Sequence, residues 1–252
     1  MFFHLGPERA EISDASSALI ATYKAVRIDP DAILAFLRHL RPDRKSFNRI
    51  RRYAPSSKTD AAARFIFLNK ACWNGLYRVN SNGIFNVPFG WPKTDFLLDE
   101  SNFLECSKQL HRRAISIRCQ DFEEIAPRVV ANDFIFLDPP YVTAHNMNGF
   151  VDWNESLFGW DDQIRLAKMA KTLVDLGANV LITNAAHADV KDLYTGFGQM
   201  EYERSSTLAA NLRYRRRTSE AIFFGGPAYQ TSKLRYLKQS RNRHARSEHR
   251  RG

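Results

Sequence analysis

Apolar positions along this chain follow two alternating patterns. Short apolar runs are typical of strands, and longer segments in which apolar residues recur every three or four positions are typical of amphipathic helices. The runs predict strands at Ala10–Ser13, Ala114–Arg118, Phe134–Leu137, Asn179–Thr183, Glu201–Leu208 and Ala221–Phe224, the last two as an antiparallel pair. Strands that alternate with helices predict an α/β fold, here with a Rossmann-like sheet.

The helices are predicted from their caps and their apolar stripes. Ser16 is a typical N-cap, Asp29-Pro30 combines an N-cap with proline at the first helical position, and Gly177 ends a later helix. The predicted inward positions are Ile33, Leu34 and Leu37, and Ile164, Ala167, Ala170 and Leu173 in a helix over Asp161–Leu176. Leu19, Tyr23 and Val26 are predicted to share one helix face, and Phe65, Leu68 and Cys72 have helical spacing in a helix over Asp60–Cys72. Further helices are predicted at Asn102–Arg113 and in a short segment that ends at Tyr194.

The apolar run Phe134–Leu137 predicts a strand buried on both faces, and it ends in Asp138-Pro139-Pro140-Tyr141. Two successive prolines cannot continue a central strand, so the chain leaves the sheet at the strand's carboxyl end, where open α/β sheets bind ligands. A carboxylate and a proline carbonyl there can both accept from an amino group, and the tyrosine can stack on the flat ring that carries it. The alternative is an ordinary strand exit with a turn aspartate.

Two further acids follow predicted strands. Asp14 ends the first strand, where a carboxylate can accept from ribose hydroxyls. Asp121-Phe122 follows the second strand and can hold an adenine by a hydrogen bond and a ring contact. The alternatives are that Asp14 caps the next helix, and that Asp121-Phe122 is a turn acid beside a core aromatic.

A hairpin is predicted within Asn74–Lys93, because Ser81-Asn82-Gly83 lies between two strand-like segments. A two-stranded ribbon fits the major groove of DNA, and arginine is the side chain best shaped for guanine. The hairpin is therefore a candidate base-reading element centred on Arg78. A surface hairpin with a solvated arginine is the alternative.

Several segments resemble, in order, the motifs of the Dam-like D12 class of DNA adenine-N6 methyltransferases. The similarity runs from about Phe3 to about Gly225. It is carried by Asp138-Pro139-Pro140-Tyr141; by Ala10–Asp14 with Leu19–Tyr23, which is similar to a cofactor motif; by Phe67–Lys70, Asn74–Arg78 and Gly83–Gly90, which are similar to a DNA-recognition segment; and by Leu181–Asn184, which is similar to a later strand.

The resemblance implies a Rossmann-like S-adenosyl-L-methionine-dependent methyltransferase sheet with an inserted helical and β-hairpin DNA-recognition module. It implies methyl transfer to N6 of adenine in duplex DNA, with the base flipped out of the helix. Asp138 and the Pro139 carbonyl would accept from N6 while Tyr141 stacks on the ring. The implied catalytic residues are Asp138, Pro139, Pro140 and Tyr141; the implied cofactor-binding residues are Asp14, Asp121, Phe122 and Asp138; and the implied DNA-binding residues are Asn74, Leu76, Arg78, Pro88 and Lys93, with Arg78, Leu76 and Pro88 facing bases and Asn74 and Lys93 nearer phosphates.

The chain departs from the family before Ala10. Family members carry a Lys-bearing segment and a Gly-rich cofactor turn before this point, and Gly6 alone does not replace them. We therefore expect an N-terminally truncated member. Two alternatives stay open: a non-catalytic remnant that binds DNA, and an amine methyltransferase that acts on cytosine N4 or RNA. Asp138 favours adenine, because cytosine-N4 relatives usually have serine at that position.

The net charge of +10 is concentrated at one end of the chain. The segment 233–252 has eight Lys and Arg residues and one acidic residue, so it carries +7 of the total. It predicts a disordered basic tail that attracts phosphates, or else a merely solvated terminus. The expected partners are double-stranded DNA and a cognate restriction endonuclease, and the chain is expected to be a monomer.

Hydropathy and cysteine usage predict the compartment. No run approaches 18 apolar residues and no charged-then-apolar leader is present, so neither a membrane span nor a signal peptide is expected. Cys72, Cys106 and Cys119 lack metal-ligand spacing and are interpreted as reduced thiols. We expect a cytoplasmic protein of a bacterium or phage, without a metal.

The predicted organisation is discontinuous. Residues 1–40 and 114–232 form the catalytic domain, 41–113 the recognition module and 233–252 the tail. Val142–Gly159 is predicted to be a functional loop that closes on the substrate, or else an irregular connection. Arg213–Arg217 is a candidate phosphate contact, with a solvated charge run as the alternative.

Overall fold

The computed structural model describes residues 1–80, 83–92, 99–141, 158–205 and 217–230, without the side chains of residues 204, 205, 217 and 218. Its helices are α1 (Phe2–Leu5), α2 (Ser17–Ile28), α3 (Pro30–Arg38), α4 (Arg44–Arg52), α5 (Lys58–Ala71), α6 (Glu100–His111), α7 (Trp160–Asp175) and α8 (Ala188–Leu193), with 3-10 helices at Trp73–Gly75 and Phe122–Arg128. Its strands are β1 (Ala10–Asp14), β2 (Ile115–Cys119), β3 (Phe134–Leu137), β4 (Asn179–Ala185), β5 (Gly198–Ser205) and β6 (Arg217–Gly225). The predicted mixed α/β fold is confirmed.

The chain divides into two compact units, Met1–Phe122 and Glu123–Gly252. The first unit contains a parallel pair in which β1 runs beside β2 from Ala10 opposite Ile115 to Asp14 opposite Cys119. Because parallel strands end at the same edge, whatever follows β1 and β2 emerges on one side of this sheet.

Polar side chains begin each of the helices α2 to α6. The Ser16 hydroxyl accepts from the Leu19 N–H at 3.3 Å, and the Asp29 carboxylate accepts from the Ala32 N–H at 3.0 Å. Asp43, Ser57 and Asp99 cap α4, α5 and α6 in the same way. Each cap satisfies one of the N–H groups that a helix start leaves without a partner.

Helix α5 lies at the centre of the first unit and packs against α2, α3 and α4. Its buried positions include three alanines, Ala62, Ala63 and Ala71. Small side chains let neighbouring helices approach closely, which explains why a helix without a single dominant apolar stripe is surrounded on several sides.

The hairpin segment is tied to the end of α5. Cys72 forms an antiparallel bridge with Phe89, the Trp73 N–H donates to the Pro88 carbonyl at 2.9 Å, and the Gly90 N–H donates to the Ala71 carbonyl at 2.9 Å. The Cys72 thiol donates to the Leu76 carbonyl at 2.9 Å. Burial raises the pKa of Cys72 to about 11, so the thiol stays protonated and remains a donor at neutral pH.

Replacing Gly90 with alanine should disrupt the contacts between the hairpin segment and the end of α5. A Cβ at this position would meet the Cys72 carbonyl oxygen at 2.2 Å and the Trp73 nitrogen at 2.7 Å, both of them backbone atoms. We expect Gly90→Ala to lower the free energy of unfolding by about 3 kcal/mol in urea titrations, as for severe overpacking. Gly83→Ala is the matched control, since a Cβ there would meet nothing within 4 Å and only its φ of +73° is unfavourable, at about 1 kcal/mol. Equal losses in the two variants would contradict the steric argument.

The second unit contains a four-stranded sheet in the order β3-β4-β6-β5. β3 and β4 are parallel, and β6 is antiparallel to both β4 and β5. The ring of Tyr194 is fully buried and stacks on Phe223 at 4.5 Å between centroids. The predicted antiparallel pairing of the last two strands is confirmed.

Most element predictions are confirmed within one or two residues at their ends. The Ser16 and Asp29 caps are confirmed, as is the buried stripe of α3 at Ile33, Leu34 and Leu37. Gly177 has the positive φ, 94°, expected after a helix. Regular spacing and local capping chemistry therefore determine where these elements begin and end.

The prediction that Phe134–Leu137 is buried on both faces is wrong. Leu137 is buried, but Phe134 and Phe136 are 51% and 38% exposed. Side chains two residues apart share a face of a strand, so one whole face of β3 is uncovered by the described residues. An apolar run reports hydrophobicity and does not say whether something packs over it.

The predicted inward position of Ile164 is also wrong. In α7, Ile164 is 44% exposed because the neighbouring polar residue Gln163 takes the inward position. In α5, Leu68 and Cys72 are buried, and Phe65 is half-buried and packs on Tyr77 at 4.5 Å. In α2, Leu19 and Tyr23 are half-buried, and the buried residues are Ile20, Thr22, Ala25 and Val26.

The predicted recognition module, residues 41–113, lies wholly within the first compact unit. The division into a discontinuous catalytic domain and an inserted module stays a prediction. Within the described part of the chain, no helix combines the length and apolarity needed to cross a membrane.

Candidate functional site

The four residues after β3 form the predicted turn, Asp138–Tyr141, which we call the Asp138 turn. Leu137 pairs with Ile182 in the parallel sheet, so the next residues along the two strands, Asp138 and Thr183, are neighbours. The Thr183 hydroxyl donates to the Asp138 carboxylate. Asp138 is exposed, so its carboxylate is oriented by the sheet and still open to a ligand.

A buried pair of amides holds the far end of this turn. Gln163 and Asn184 are both fully buried. Gln163 Nε2 donates to the Pro140 carbonyl at 3.0 Å, and Gln163 Oε1 accepts from Asn184 Nδ2 at 3.0 Å. Asn184 Oδ1 in turn accepts from the Ala185 N–H at 2.9 Å. Buried amides that are fully bonded rigidify their surroundings, so the prolines are held by the core of the unit.

These contacts decide which acceptors of the turn can meet a ligand. The Pro140 carbonyl is bonded to Gln163. The Asp138 carboxylate is exposed and keeps acceptor positions beyond the one that Thr183 uses; the Pro139 carbonyl is the neighbouring acceptor, and Tyr141, 37% exposed, follows in the same turn. Two adjacent acceptors and a partly exposed ring match an aromatic amine, whose two N–H groups need two partners.

The two predicted cofactor-binding acids of the first unit, Asp14 and Asp121, lie at the carboxyl edge of β1 and β2. Asp14 Oδ1 accepts from the Ser16 N–H at 2.6 Å, and the Asp14 carbonyl accepts from the Gln120 N–H at 3.2 Å. Asp121 follows Gln120 directly, so the structure brings both predicted acids to one edge. Burial raises the pKa of Tyr23, and the charge of Asp14 raises it further.

Asp14 does not cap α2, because Ser16 is the N-cap of that helix; the Asp14 carboxylate instead bonds the Ser16 N–H just before the helix begins. This hydrogen bond does not occupy every acceptor position of the Asp14 carboxylate. A carboxylate offers about four acceptor positions, so the exposed Asp14 retains capacity for hydroxyl groups of a ligand.

The hairpin presents one face to the core and one to the outside. Val79 is bridged to Phe85. Phe85 and Val87 are buried, whereas Ile84, Asn86 and Pro88 are exposed, as the alternation of a strand requires. Arg78 Nε donates to Asn86 Oδ1 at 2.8 Å, which fixes the guanidinium beside this outer face.

The other two predicted DNA-binding residues in this segment differ in their setting. Asn74 is exposed, with a φ of +53°. Leu76 is half-buried against the core. Lys93, residues 142–157 of the predicted loop, residues 213–216 and the tail 233–252 lie outside the described residues.

Sequence reasoning missed the contributions of Gln163, Thr183 and Asn184 to the Asp138 turn. A signal for Asn184 was present, because it occupies the third inward position of β4 after Val180 and Ile182. A polar residue at an inward position of a buried strand needs a bonding partner. The identity of that partner, Gln163, depends on how α7 packs and could not be read from spacing.

The turn places an exposed carboxylate and a proline carbonyl at the end of a parallel strand, an arrangement that can accept hydrogen bonds from an amino group. The sequence model of the D12 class N6 adenine-specific DNA methyltransferase family matches residues 1–208, and the chain belongs to this family.

Individual relatives agree with the family. The chain is 30% identical to the type II methyltransferase M1.LlaDCHI of Lactococcus lactis subsp. cremoris, over 88% of this chain and 81% of that protein. It is 38% identical to the type II methyltransferase M.MjaIII of Methanocaldococcus jannaschii, over 74% and 69%. It is 29% identical to a DNA adenine methylase of Vibrio cholerae serotype O1, over 88% and 82%.

Proposed function

We propose that this chain transfers a methyl group from S-adenosyl-L-methionine to N6 of adenine in duplex DNA. The observation that carries the proposal is the Asp138 turn, in which Thr183 orients the carboxylate and Gln163 holds the Pro140 carbonyl. Family membership supplies the substrate class. The catalytic residues are then Asp138, Pro139, Pro140 and Tyr141.

Each group of the turn has a distinct part in this reaction. The Asp138 carboxylate and the Pro139 carbonyl accept hydrogen bonds from the two N6–H groups, which directs the nitrogen lone pair outward and increases its electron density. The N6 proton that the methyl group replaces is then lost to solvent. Tyr141 stacks on the adenine ring. Because N6 is paired inside the duplex, the base must first be flipped out, at a cost of a few kcal/mol. The rate enhancement of methyl transfer comes from positioning and electrostatics, without a covalent enzyme intermediate.

The proposed cofactor-binding residues are Asp14, Asp121, Phe122 and Asp138. The donor set fits S-adenosyl-L-methionine: the exposed Asp14 carboxylate suits ribose hydroxyls, and Asp121 with Phe122 suits an adenine. When bound, the cofactor supplies an electrophilic methyl group on sulphonium. We propose these roles within a Rossmann-like methyltransferase fold into which the recognition module is inserted.

The outer face of the hairpin is the proposed base reader. Arg78 is held beside Asn86, and Pro88 lies exposed on the same side. A guanidinium fixed in this way can bond guanine O6 and N7 in the major groove. Leu76 is proposed to face bases as well, and Asn74 and Lys93 to lie nearer the phosphates.

The test is transfer of labelled methyl from S-adenosyl-L-methionine to unmethylated duplex DNA by this 252-residue chain. Nucleoside mass analysis should place all label on adenine N6. Label on cytosine N4, or on RNA alone, would replace the proposal with the amine-methyltransferase alternative. Duplex binding without any transfer would favour the non-catalytic remnant.

The relatives named type II methyltransferases support a second element of the proposal. We propose that a cognate restriction endonuclease shares this chain's recognition sequence. Genomic DNA methylated by the chain should then resist cleavage by that nuclease.

A further inference from the structure

The outer face of α4 and residues 88–91 enclose a basic cleft, and of its lining residues the proposed function uses Pro88 alone. The cleft has a volume of about 370 Å3. Five of the nine residues of α4 are Lys or Arg, and none is acidic. We call this feature the Arg44 cleft; its lining residues are Arg44, Asn48, Arg51, Pro88, Phe89 and Trp91.

Helical spacing explains why these polar residues share one face. Arg44, Asn48 and Arg51 are four and three residues apart, which places them along one side of α4. Within the described residues, neither Arg44 nor Arg51 forms an ion pair with a carboxylate. Two guanidinium groups and an amide are therefore directed into one cleft without a neutralising partner in the part of the chain that is described.

The cleft is built on a rigid base. Phe47, on the inner side of α4, is fully buried and packs on Phe89 at 5.4 Å between ring centroids. Arg64 closes the carboxyl end of α4, with Nε donating to the Ile50 carbonyl at 3.1 Å and a terminal nitrogen to the Arg51 carbonyl at 2.8 Å. The helix therefore cannot shift its arginines away from the hairpin without breaking this packing.

Trp91 is the unusual member of the lining. Its side chain is 71% exposed, and its φ is +53°, a conformation that is strained for any residue but glycine. Its ring lies 5.2 Å from the Phe89 ring, and the Arg44 guanidinium lies 5.9 Å from the Trp91 centroid. A strained, exposed indole beside a cation indicates a binding role, because such strain concentrates at functional sites.

We propose that the Arg44 cleft binds the sugar-phosphate backbone of duplex DNA outside the bases that the hairpin reads. Arg44 and Arg51 each neutralise one phosphate, Asn48 donates to a phosphate oxygen, and the Trp91 ring packs on the intervening deoxyribose. The two arginines are seven residues apart on the helix, roughly 10 Å along its axis, so they engage separate phosphates. This inference rests on the proposed function, because it takes duplex DNA as the ligand.

The ligand chemistry follows from the lining. Planar guanidinium groups bond phosphate oxygens in pairs, and an aromatic ring can pack on a deoxyribose, which is the same for every base. Contacts of this kind position the duplex and carry no base preference. The cleft therefore contributes affinity and salt dependence, while Arg78 contributes sequence preference.

The experiment measures binding of a fluorescently labelled unmethylated duplex by anisotropy over a range of salt concentrations. Arg44→Gln and Arg51→Gln should each weaken binding about tenfold and each reduce the slope of log K against log salt by about 0.9, with additive slopes in the double variant. Trp91→Ala should weaken binding about tenfold, because a buried aromatic contact is lost, at an unchanged slope, because no charge is removed. Trp91→Phe should restore most of the loss.

Arg49→Gln is the matched control, since it removes the same charge from an exposed position of α4 outside the cleft. It should change affinity less than twofold. Two outcomes would contradict the proposed role of the Arg44 cleft: wild-type affinity and salt slope in the Arg44 and Arg51 variants, or an equal loss of affinity in the Arg49 variant. The readout is binding, so a chain that binds through the cleft but transfers no methyl group would refute the proposed function and leave this inference standing.

Discussion

Replacing Asp138 with alanine should abolish methyl transfer while leaving the affinity for duplex DNA unchanged. The variant removes the carboxylate that the Thr183 hydroxyl orients at the end of β3, so only the Pro139 carbonyl would still accept from N6. Loss of a positioned acceptor at the reacting atom corresponds to a fall in kcat on the order of 10³-fold. DNA affinity should persist, because the proposed DNA contacts belong to the hairpin and α4.

Two further variants make this result specific. Asp138→Asn keeps the shape of the side chain and an acceptor for Thr183 but replaces one acceptor oxygen by a donor, so its kcat should also fall by on the order of 10²-fold. Asp175→Ala removes an exposed carboxylate from the same unit and should retain full kcat. Labelled-methyl transfer and anisotropy measure the two properties separately. An Asp138→Ala enzyme with wild-type kcat would exclude Asp138 from the chemistry.

Replacing Gln163 with leucine should lower kcat by about 10²-fold without changing the KM for DNA. Leucine cannot donate to the Pro140 carbonyl or accept from Asn184, so the turn loses its attachment to the core. Displacing a reacting group by about 1 Å can cost this much in rate. Asn184 is fully buried and would lose the acceptor of its side-chain N–H, so the free energy of unfolding should also fall by about 1–3 kcal/mol. Gln199→Leu, at an exposed site of β5, should change neither quantity.

A glutamate at position 163 separates a positioning role from a purely structural one. A protonated acid can donate to the Pro140 carbonyl and accept from Asn184, whereas a carboxylate cannot donate. Burial raises the pKa of a carboxyl group, so the acid form of Gln163→Glu persists at low pH. The kcat of this variant should therefore be highest at low pH and decline, relative to wild type, as pH rises through the raised pKa. A wild-type pH profile for kcat in this variant would argue that the Pro140 contact does not matter.

The sequence predicted the features that depend on neighbouring residues. Asp138-Pro139-Pro140-Tyr141 was placed at the end of β3 because two prolines must leave a sheet, and Ser16 and Asp29 were identified as caps because a helix start needs side-chain acceptors. These rules act over a few residues. The structure accordingly places the turn and both caps where they were expected.

Features that depend on packing were not predictable. Ile164 was chosen as an inward residue because it is apolar, yet the inward position belongs to Gln163, whose two partners lie 23 and 21 residues away. The Arg44 cleft likewise joins a helix to a tryptophan more than 40 residues later. Hydrophobicity alone also could not show that Phe134 and Phe136 lie on an uncovered face.

The attachment of the hairpin to the end of α5 has an evolutionary consequence. Its frame is built from backbone hydrogen bonds around Cys72 and Gly90 and from inward rings such as Phe85, so the outward side chains at Arg78, Ile84 and Asn86 contribute little to folding. Mutations at these outer positions can therefore accumulate without unfolding the protein. With the hairpin as the proposed base reader and the Arg44 cleft as the proposed backbone contact, such mutations would change the target sequence while the scaffold and the affinity for the DNA backbone stay constant.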